Sequence, residues 1–498
     1  MTTPHQDRPQ PKSATSLTEP FVHQTGFREY DARWFIDRDV NYRGLTHVGH
    51  AFGTLLQQMD PSHKQVVLGW DYRAYSQHCA RAVGLGLIAS GLEVVDIGLA
   101  TSPMAYFAQH HLGIPALAMV TASHNENGWT GIKMGYDFSR TLRPKEMSAL
   151  REIALGEPLE TKPGGGYRIV EGIRDAYIAD ACAGVQLKHK TKVVVATGNG
   201  TAGHFAPAAL EALGCEVISL HTDLDWDFPN GNPNPESEAF MSALVDAVKT
   251  NNADLGVGLD GDGDRLGVVD RGGRLIYSDK IGLLLGQWMV GQVKAPLFVV
   301  DVKCTSLLDD PNVIPAKIHW EKTGHSYIKS AVHETGATAG FERSGHFFFA
   351  PPFGRSYDDG LLSAVRLLQM LDDAGKTLDQ LYDALPTTYQ SPNFQPHVAD
   401  DRKYGVVEEA TAALQALVET GGLLAGSRVT QVRTINGARA ECENGSWLLI
   451  RASSNRPSLV VMAESRIDDA QTQALIDAAR QILAGIDGVA ELTADTAH

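Results

Sequence analysis

The sequence predicts an α/β chain made of three α/β domains and a smaller C-terminal α+β domain, and three observations carry this. At 498 residues the chain has room for about three or four domains of ordinary size. From about residue 21 to 392, short β-branched runs alternate with helical stretches, as in a sheet covered by helices. After residue 395 the character changes to long stretches of alternating polarity between two helical stretches, the mark of an antiparallel sheet with one covered face.

In the first block, 66–69 reads as a strand, 79–90 as a helix, 92–97 as a strand, 105–111 as a further stretch and 116–120 as a buried strand. The second block starts near Lys192 with a strand at 193–195, a helix at 205–213 and a strand at 216–220. A Pro/Asn-rich loop at 228–236 precedes a helix at 239–249 and a strand at 254–259. The third block has a helix at 281–290, a strand at 297–302 and helices at 327–334 and 361–371. The last has helices at 406–418 and 470–483 and alternating stretches at 428–441, 446–450 and 458–464. The resulting division is a disordered tail at 1–20, α/β domains at 21–172, 173–275 and 276–392, and an α+β domain at 393–498.

Charge and cysteine content exclude several partners. Against 59 Asp+Glu there are 43 Lys+Arg, a formal −16, which opposes binding to nucleic-acid backbones and anionic membranes. Five scattered cysteines (Cys79, Cys182, Cys215, Cys304, Cys442) form no CxxC, so a disulfide framework or zinc knuckle is not indicated and a cytoplasmic setting is expected. The first twenty residues, with Pro4, Pro9, Pro11 and Pro20, lack the apolar run of a signal peptide. The richest apolar stretch, 281–300, is broken by Gln287, Gln292 and Lys294, too polar to span a membrane.

Directly after the strand at 254–259 stand Asp260, Asp262 and Asp264, separated by Gly261 and Gly263. Three carboxylates on a freely folding backbone suit a hard cation with oxygen ligands; the alternative is a solvated acidic turn. An EF-hand loop is excluded, because its sixth and twelfth positions would be Arg265 and Arg271. After the strand at 116–120 comes Thr121-Ala-Ser123-His124-Asn125, with Lys133 beyond it. Ser123 at a strand mouth suits a nucleophile or phosphate acceptor, and Lys133 a phosphate partner or proton carrier; a hydrogen-bonded turn is the plain alternative.

Gly198-Asn-Gly200-Thr-Ala-Gly203 follows a strand, precedes a helix and has Asp223 beyond the next strand, which raises a rival, an NAD-linked oxidoreductase. A second G-x-G-x-x-G at 256–261 lies inside a strand, and Gly375-Lys-Thr377 lacks the leading glycine of a P-loop. Glu342, Ser344 and His346 alternate, so an extended segment would turn all three to one side, where they could bind sugar hydroxyls. Arg451, Ser453, Ser454, Asn455 and Arg456 gather guanidiniums and turn amides of the kind that recognise phosphate.

Together these strings resemble the phosphohexomutase superfamily, and within it the bacterial phosphomannomutase/phosphoglucomutase group. The resemblance runs in order from Phe27 to about Ile486, through Phe27–Arg33, Thr121–Asn125, Gly198–Gly203, Phe228-Pro-Asn, Asp260–Arg265, Asp301-Val-Lys303, Lys322–His325, Glu342–His346 and the Arg451 loop. It implies mixed sheets, a four-domain chain around a central cleft, and a Gly-Asn-Gly loop that serves no dinucleotide. The reaction implied moves a phosphoryl group between O1 and O6 of mannose and/or glucose through a phosphoserine at Ser123 and a hexose 1,6-bisphosphate.

By the same resemblance, Asp260, Asp262, Asp264 and an oxygen on Ser123 would hold one Mg2+, with a hexose 1,6-bisphosphate as activator. Lys133 and His346 would handle protons, with Arg33 and His325 close by; Tyr30 would line the cleft. His124, Arg265 and Lys303 would assist substrate binding, Glu342 and Ser344 would hold O3 and O4, and Arg451, Ser453, Ser454 and Asn455 the phosphate that does not react. Glu126, Thr130, Phe341 and the phosphate loop depart from the family's usual residues, which leaves glucosamine phosphate open as an alternative sugar. The implied partner is a small phosphosugar, with no nucleic acid and no membrane, and the chain is expected to be a monomer or weak homo-oligomer.

Overall fold

The computed structural model describes residues 19–454 and 456–492. Most of the expected tail at 1–20 therefore lies outside the described residues, as does Asn455. The described residues form two compact units. The first takes those up to Ile276 together with Ser344–Leu378; the second takes Tyr277–Arg343 and those from Asp379 onward.

The first unit holds two mixed sheets. One is built from β1 (Ala32–Phe35), β2 (Gln65–Trp70), β3 (Glu93–Leu99), β4 (Ala116–Val120), β5 (Trp129–Asp137), β6 (Arg140–Thr141) and β7 (Gly166–Ile169), in the order β1-β5-β4-β2-β3-β7 with β6 beside β5. Strands β4, β2, β3 and β7 run parallel, while β5 lies antiparallel to both β4 and β1. The other sheet takes β8 (Lys192–Ala196), β9 (Glu216–Leu220), β10 (Leu255–Leu259), β11 (Leu266–Asp270) and β12 (Leu275–Ile276), in the order β12-β11-β10-β8-β9. Central strands such as β4 and β10 are buried at every position, which explains why they read as continuous apolar runs rather than alternations.

The second unit opens with the helix Ser278–Val290 and three parallel strands, β13 (Leu297–Asp301) between β14 (Lys317–Glu321) and β15 (Ala339–Phe341). The chain then enters the first unit with β16 (Phe347–Phe349) and the helix Gly360–Ala374. Arg355 pairing with Asp180 and Gly360 donating to the Gly263 carbonyl (3.1 Å) hold this segment to the first unit. The rest of the second unit is one antiparallel sheet of β17 (Tyr389–Gln390), β18 (Leu423–Leu424), β19 (Ser427–Arg433), β20 (Ala438–Cys442), β21 (Trp447–Ala452) and β22 (Leu459–Ser465), ordered β17-β22-β21-β20-β19-β18. The helices Lys403–Thr420 and Asp469–Ala484 pack on it through Val406, Ala410, Leu414, Leu475 and Ala479.

Two expectations change. The stretch 428–441 is two strands, because Asn436 and Gly437 (φ 85°) make a hairpin turn between β19 and β20. Glu342, Ser344 and His346 do not share an extended segment: residues 342–345 turn, with Gly345 at φ 96°, and the turn brings His346 beside Arg265 as an antiparallel bridge. Alternation along a strand therefore does not explain their roles.

The helix Gly360–Ala374 is capped by Asp359, which accepts from Leu362 N (2.8 Å) and from the Tyr177 hydroxyl (2.9 Å). Burial, helped by the neighbouring Asp358, pushes this carboxyl up to about 7. A group raised in the folded state stabilises it below the unfolded value of about 3.8, and that contribution is lost as pH rises through about 7. Asp359→Asn keeps a capping oxygen without the charge. Its melting temperature should match that of the unsubstituted chain at or below about pH 4 and exceed it above pH 8, by the equivalent of on the order of 4 kcal/mol at most. Parallel melting-against-pH curves for the two proteins would contradict this.

Candidate active site

In the first unit three loops meet at the C-terminal ends of the parallel strands β2, β4 and β10, where open α/β sheets place their ligands. The loop after β4 carries Ser123, whose φ of 52° is uncommon for a residue with a side chain. Several bonds hold that conformation. Thr121 Oγ1 accepts from Ser123 N (2.8 Å), and Arg73 donates to the carbonyls of Ser123 (2.9 Å) and Asn125 (2.6 Å). Asp71 in turn accepts from Thr121 Oγ1 (2.8 Å) and Arg73 Nε (3.2 Å). Arg33 braces the same loop through Ala122 O (2.6 Å) and is itself paired with Asp31 (2.9 Å).

So fixed, Ser123 Oγ lies 3.2 Å from Asp260 Oδ2 and 3.2 Å from His124 Nδ1. The loop after β10 brings Asp260, Asp262 and Asp264 together, all fully buried. Asp260 Oδ1 accepts from the amides of Asp264 (3.0 Å) and Arg265 (3.2 Å), which curls the loop and leaves Oδ2 to the serine. Lys133, from β5, donates to Asp262 Oδ2 (2.6 Å) and to Asp264 Oδ2, and Ser102 Oγ donates to Asp262 Oδ2 (2.5 Å). Gly261 allows the close approach, since a Cβ there would sit 2.4 Å from Ser123 O.

The electrostatics follow from this crowding. Burial and the neighbouring carboxylates of Asp264 and Asp262 hold Asp260 well above the usual carboxylate range. Burial works the same way on Asp262, but the Lys133 ammonium overrides it and holds that carboxyl below the range. Burial penalises the Lys133 ammonium, yet Asp262 and Asp264 keep it raised and charged. Three carboxylates face the Lys133 ammonium and the Arg265 guanidinium, 3.8 Å from Asp260 Oδ2 and shared with Glu236, which still leaves a local excess of negative charge.

That excess is what a divalent cation would offset, and the residues fit one. One oxygen from each aspartate lies within 4.8 Å of the others, and the buried Asp262 Oδ1 and Asp264 Oδ1 have no hydrogen-bond partner.

Beside this cluster, Arg265 Nε donates to His346 Nε2 (3.0 Å), which puts the imidazole proton on Nδ1, 3.1 Å from Asp358 Oδ2. Arg265 also pairs with Glu236 (3.0 Å). Tyr30 is buried in the turn that leads into β1.

The second unit gathers another set of the expected residues. Lys303, buried after β13, lies 3.7 Å from Asp301 Oδ2, which also accepts from Thr323 Oγ1 (2.7 Å). Glu342 Oε1 accepts from Gly324 N (3.1 Å), next to His325 at the start of the helix His325–Thr335. Arg451, next to last in β21, has its NH1 on Ala452 O (3.0 Å), and Ser453 and Ser454 follow the strand. Lys403 Nζ holds that loop from behind through Ser453 O (2.6 Å) and Arg456 O (3.2 Å). Ser344 lies in a turn and belongs to the first unit.

Five residues that matter to these arrangements were not singled out in the sequence. Asp71 and Arg73 had a signal, as opposite charges directly after the apolar strand β2. Ser102 and Lys403 had none, because each acts on a partner far along the chain, and Asp358 had none because no local motif joins it to His346. The Gly198–Gly203 loop packs its backbone on the aspartate loop: Thr201 N donates to Gly261 O (3.2 Å), and a Cβ on Gly200 would lie 3.1 Å from Gly261 Cα. Gly200 serves that contact, while Gly198 and Gly203 stand against Pro233 and Thr222 O, so packing within the fold rather than a dinucleotide accounts for the glycines.

Comparison with known proteins agrees. Descriptions of phosphoglucomutase/phosphomannomutase α/β/α domains I, II and III match residues 24–159, 175–273 and 277–389, and that of the C-terminal domain matches 397–482. A phosphomannomutase/phosphoglucomutase of Pseudomonas putida is 34% identical over 464 residues, covering 93% of this chain and 96% of its own. A phosphoglucomutase of Neisseria gonorrhoeae is 33% identical over 460 residues, covering 91% and 94%. A solved phosphoglucomutase/phosphomannomutase family protein of Burkholderia thailandensis superposes with a TM-score of 0.83 at 30% identity, covering 95% of this chain and 99% of its own. Fold, site and matches define the class as an α/β phosphotransferase of the mutase kind. The chain belongs to the phosphoglucomutase/phosphomannomutase family. Among the described residues no helix is long and apolar enough to cross a membrane.

Proposed function

We propose that the chain interconverts hexose 1-phosphate and hexose 6-phosphate, with mannose and/or glucose as the sugar, through phosphoserine at Ser123 and a hexose 1,6-bisphosphate. The observation that carries this reading is the strained Ser123, with Oγ 3.2 Å from Asp260 Oδ2 in a buried cluster of three carboxylates and Lys133. A sugar hydroxyl attacks the phosphorus on Ser123 Oγ, the bond from phosphorus to Oγ breaks, and the hydroxyl proton passes to a base. The bisphosphate then turns round and its other phosphoryl group returns to the serine.

Bound Mg2+, one per chain on Asp260, Asp262, Asp264 and a Ser123 oxygen, supplies neutralisation of charge on the phosphoryl oxygens. Lys133 adds fixed positive charge at the same place. His346 is the proton acceptor, through Nε2 once substrate replaces the Arg265 donor there; Asp358 holds its other nitrogen. Arg33 keeps the serine loop in place and His325 assists proton handling. Tyr30, His124, Arg265 and Lys303 contact substrate; Glu342 and Ser344 read O3 and O4, which glucose and mannose share. Arg451, Ser453, Ser454 and Asn455 take the phosphate that does not react. The four-domain division of the sequence, a cytoplasmic setting and a monomer or weak homo-oligomer complete the reading; five cysteines that form no disulfide among the described residues support the setting.

Comparison of rates on mannose, glucose and glucosamine 1-phosphates, with glucose 1,6-bisphosphate as activator, tests it. Turnover of the first two supports the proposal; preference for the third makes the chain a phosphoglucosamine mutase; no turnover of any overturns it. Gly261→Ala gives a second check. Its Cβ would displace the Ser123 carbonyl, and a shift of this kind near reacting atoms costs about 10²-fold in kcat/KM. An unchanged kcat/KM would contradict the assigned role of that contact.

A further inference from the structure

The side chain of Arg439, on β20, is fully buried although it bears a charge. Its NH1 donates to Val302 O and to Cys304 O, both at 2.7 Å, the carbonyls on either side of Lys303. The guanidinium lies between two tryptophan rings, 4.1 Å from the centroid of Trp447 and 4.4 Å from that of Trp320, with Nε 3.2 Å from Glu441 Oε1. An apolar side chain would fill this space without the cost of burying a charge. Both bonds come from NH1, whose two N–H directions are fixed in the guanidinium plane, so this one nitrogen holds two carbonyls in a set geometry.

Register shows what else the guanidinium is attached to. Arg439 pairs with Leu449 and Ala438 with Ile450, so Gly437 stands opposite Arg451. A Cβ on Gly437 would lie 2.5 Å from Arg451 Cβ, and positions 437 and 439 share a face of the sheet. Arg439 and the phosphate-binding Arg451 therefore stand on one face of adjacent strands. Val302 packs on the same sheet with Trp447, Leu449, Val460 and Met462. From the other side, Asp301 holds the segment through Arg343 N (3.2 Å), Cys304 Sγ (3.0 Å) and Thr323 Oγ1 (2.7 Å).

We infer that Arg439 is a positioning residue that fixes Lys303 against the sheet carrying Arg451, so that the second unit presents its sugar-binding and phosphate-binding groups already assembled. The inference rests on the substrate contacts proposed above for Lys303 and Arg451. Its consequence is that affinity for a sugar phosphate depends on Arg439 only through Lys303.

A double-substitution cycle on the full chain tests this, with glucose 6-phosphate binding measured by calorimetry. Arg439→Lys keeps the charge but loses the reach and the fixed planar N–H directions that hold the two carbonyls, so it should weaken binding about tenfold, while in a Lys303→Met background the same change should cost less than about twofold. Equal losses in both backgrounds would mean a structural role only and overturn the inference. If circular dichroism shows Arg439→Lys unfolded, Arg439→Gln takes its place in the cycle with the same two outcomes. No binding by the unsubstituted chain overturns the proposed function, and this inference with it.

Discussion

Ser123→Ala will carry no phosphate after incubation with glucose 1,6-bisphosphate, and its mutase turnover will fall by roughly 10⁴-fold or more. The size of the effect follows from what the hydroxyl does. It is the atom to which the phosphoryl group is attached between the two half-reactions, and no neighbouring group can take its place. Alanine should fit the loop sterically, because the loop is held through backbone atoms: Thr121 Oγ1 on Ser123 N and Arg73 on Ser123 O. Intact mass and coupled-assay rates are the measurements. An active Ser123→Ala protein, or a phosphate retained on it, would end the phosphoserine reading.

Asp262→Asn is expected to lower kcat/KM by about 10²–10³-fold, with no recovery at raised Mg2+. The asparagine oxygen can still accept from Lys133 and Ser102, as Asp262 Oδ2 does at 2.6 and 2.5 Å, so the change removes charge more than contacts. The Lys133 ammonium holds Asp262 below the usual carboxylate range, so removing this charge also removes a stabilising buried pair, and without Mg2+ the melting temperature should fall. Turnover within about threefold of the unsubstituted chain would contradict the role given to this residue.

Much of the site was legible because its chemistry is local. Asp260, Asp262 and Asp264 are spaced by glycines directly after an apolar strand, and Ser123 sits on a loop directly after another. Such a placement marks a strand mouth in any open α/β sheet. The second unit was harder. Residues 428–441 looked like one strand because the Asn436-Gly437 turn interrupts the alternation only briefly. Glu342, Ser344 and His346 looked like one face of a strand, yet Gly345 at φ 96° turns the chain there. In both places a glycine's backbone freedom, which leaves no mark on hydrophobic pattern, decided the geometry.

The order of motifs along the chain was enough to determine the class of fold, the chemistry of the metal and phosphate loops, and the family they resemble, because each loop carries its reacting groups within a few residues. Tertiary structure alone decided which charges face one another. Lys133 meets Asp262 across 129 residues, Arg73 holds the Ser123 loop across 50, and Arg439 grips the carbonyls beside Lys303 across 137 and 135. A hydrogen bond or an ion pair depends on distance in space, and a pattern read along the chain records only distance in sequence.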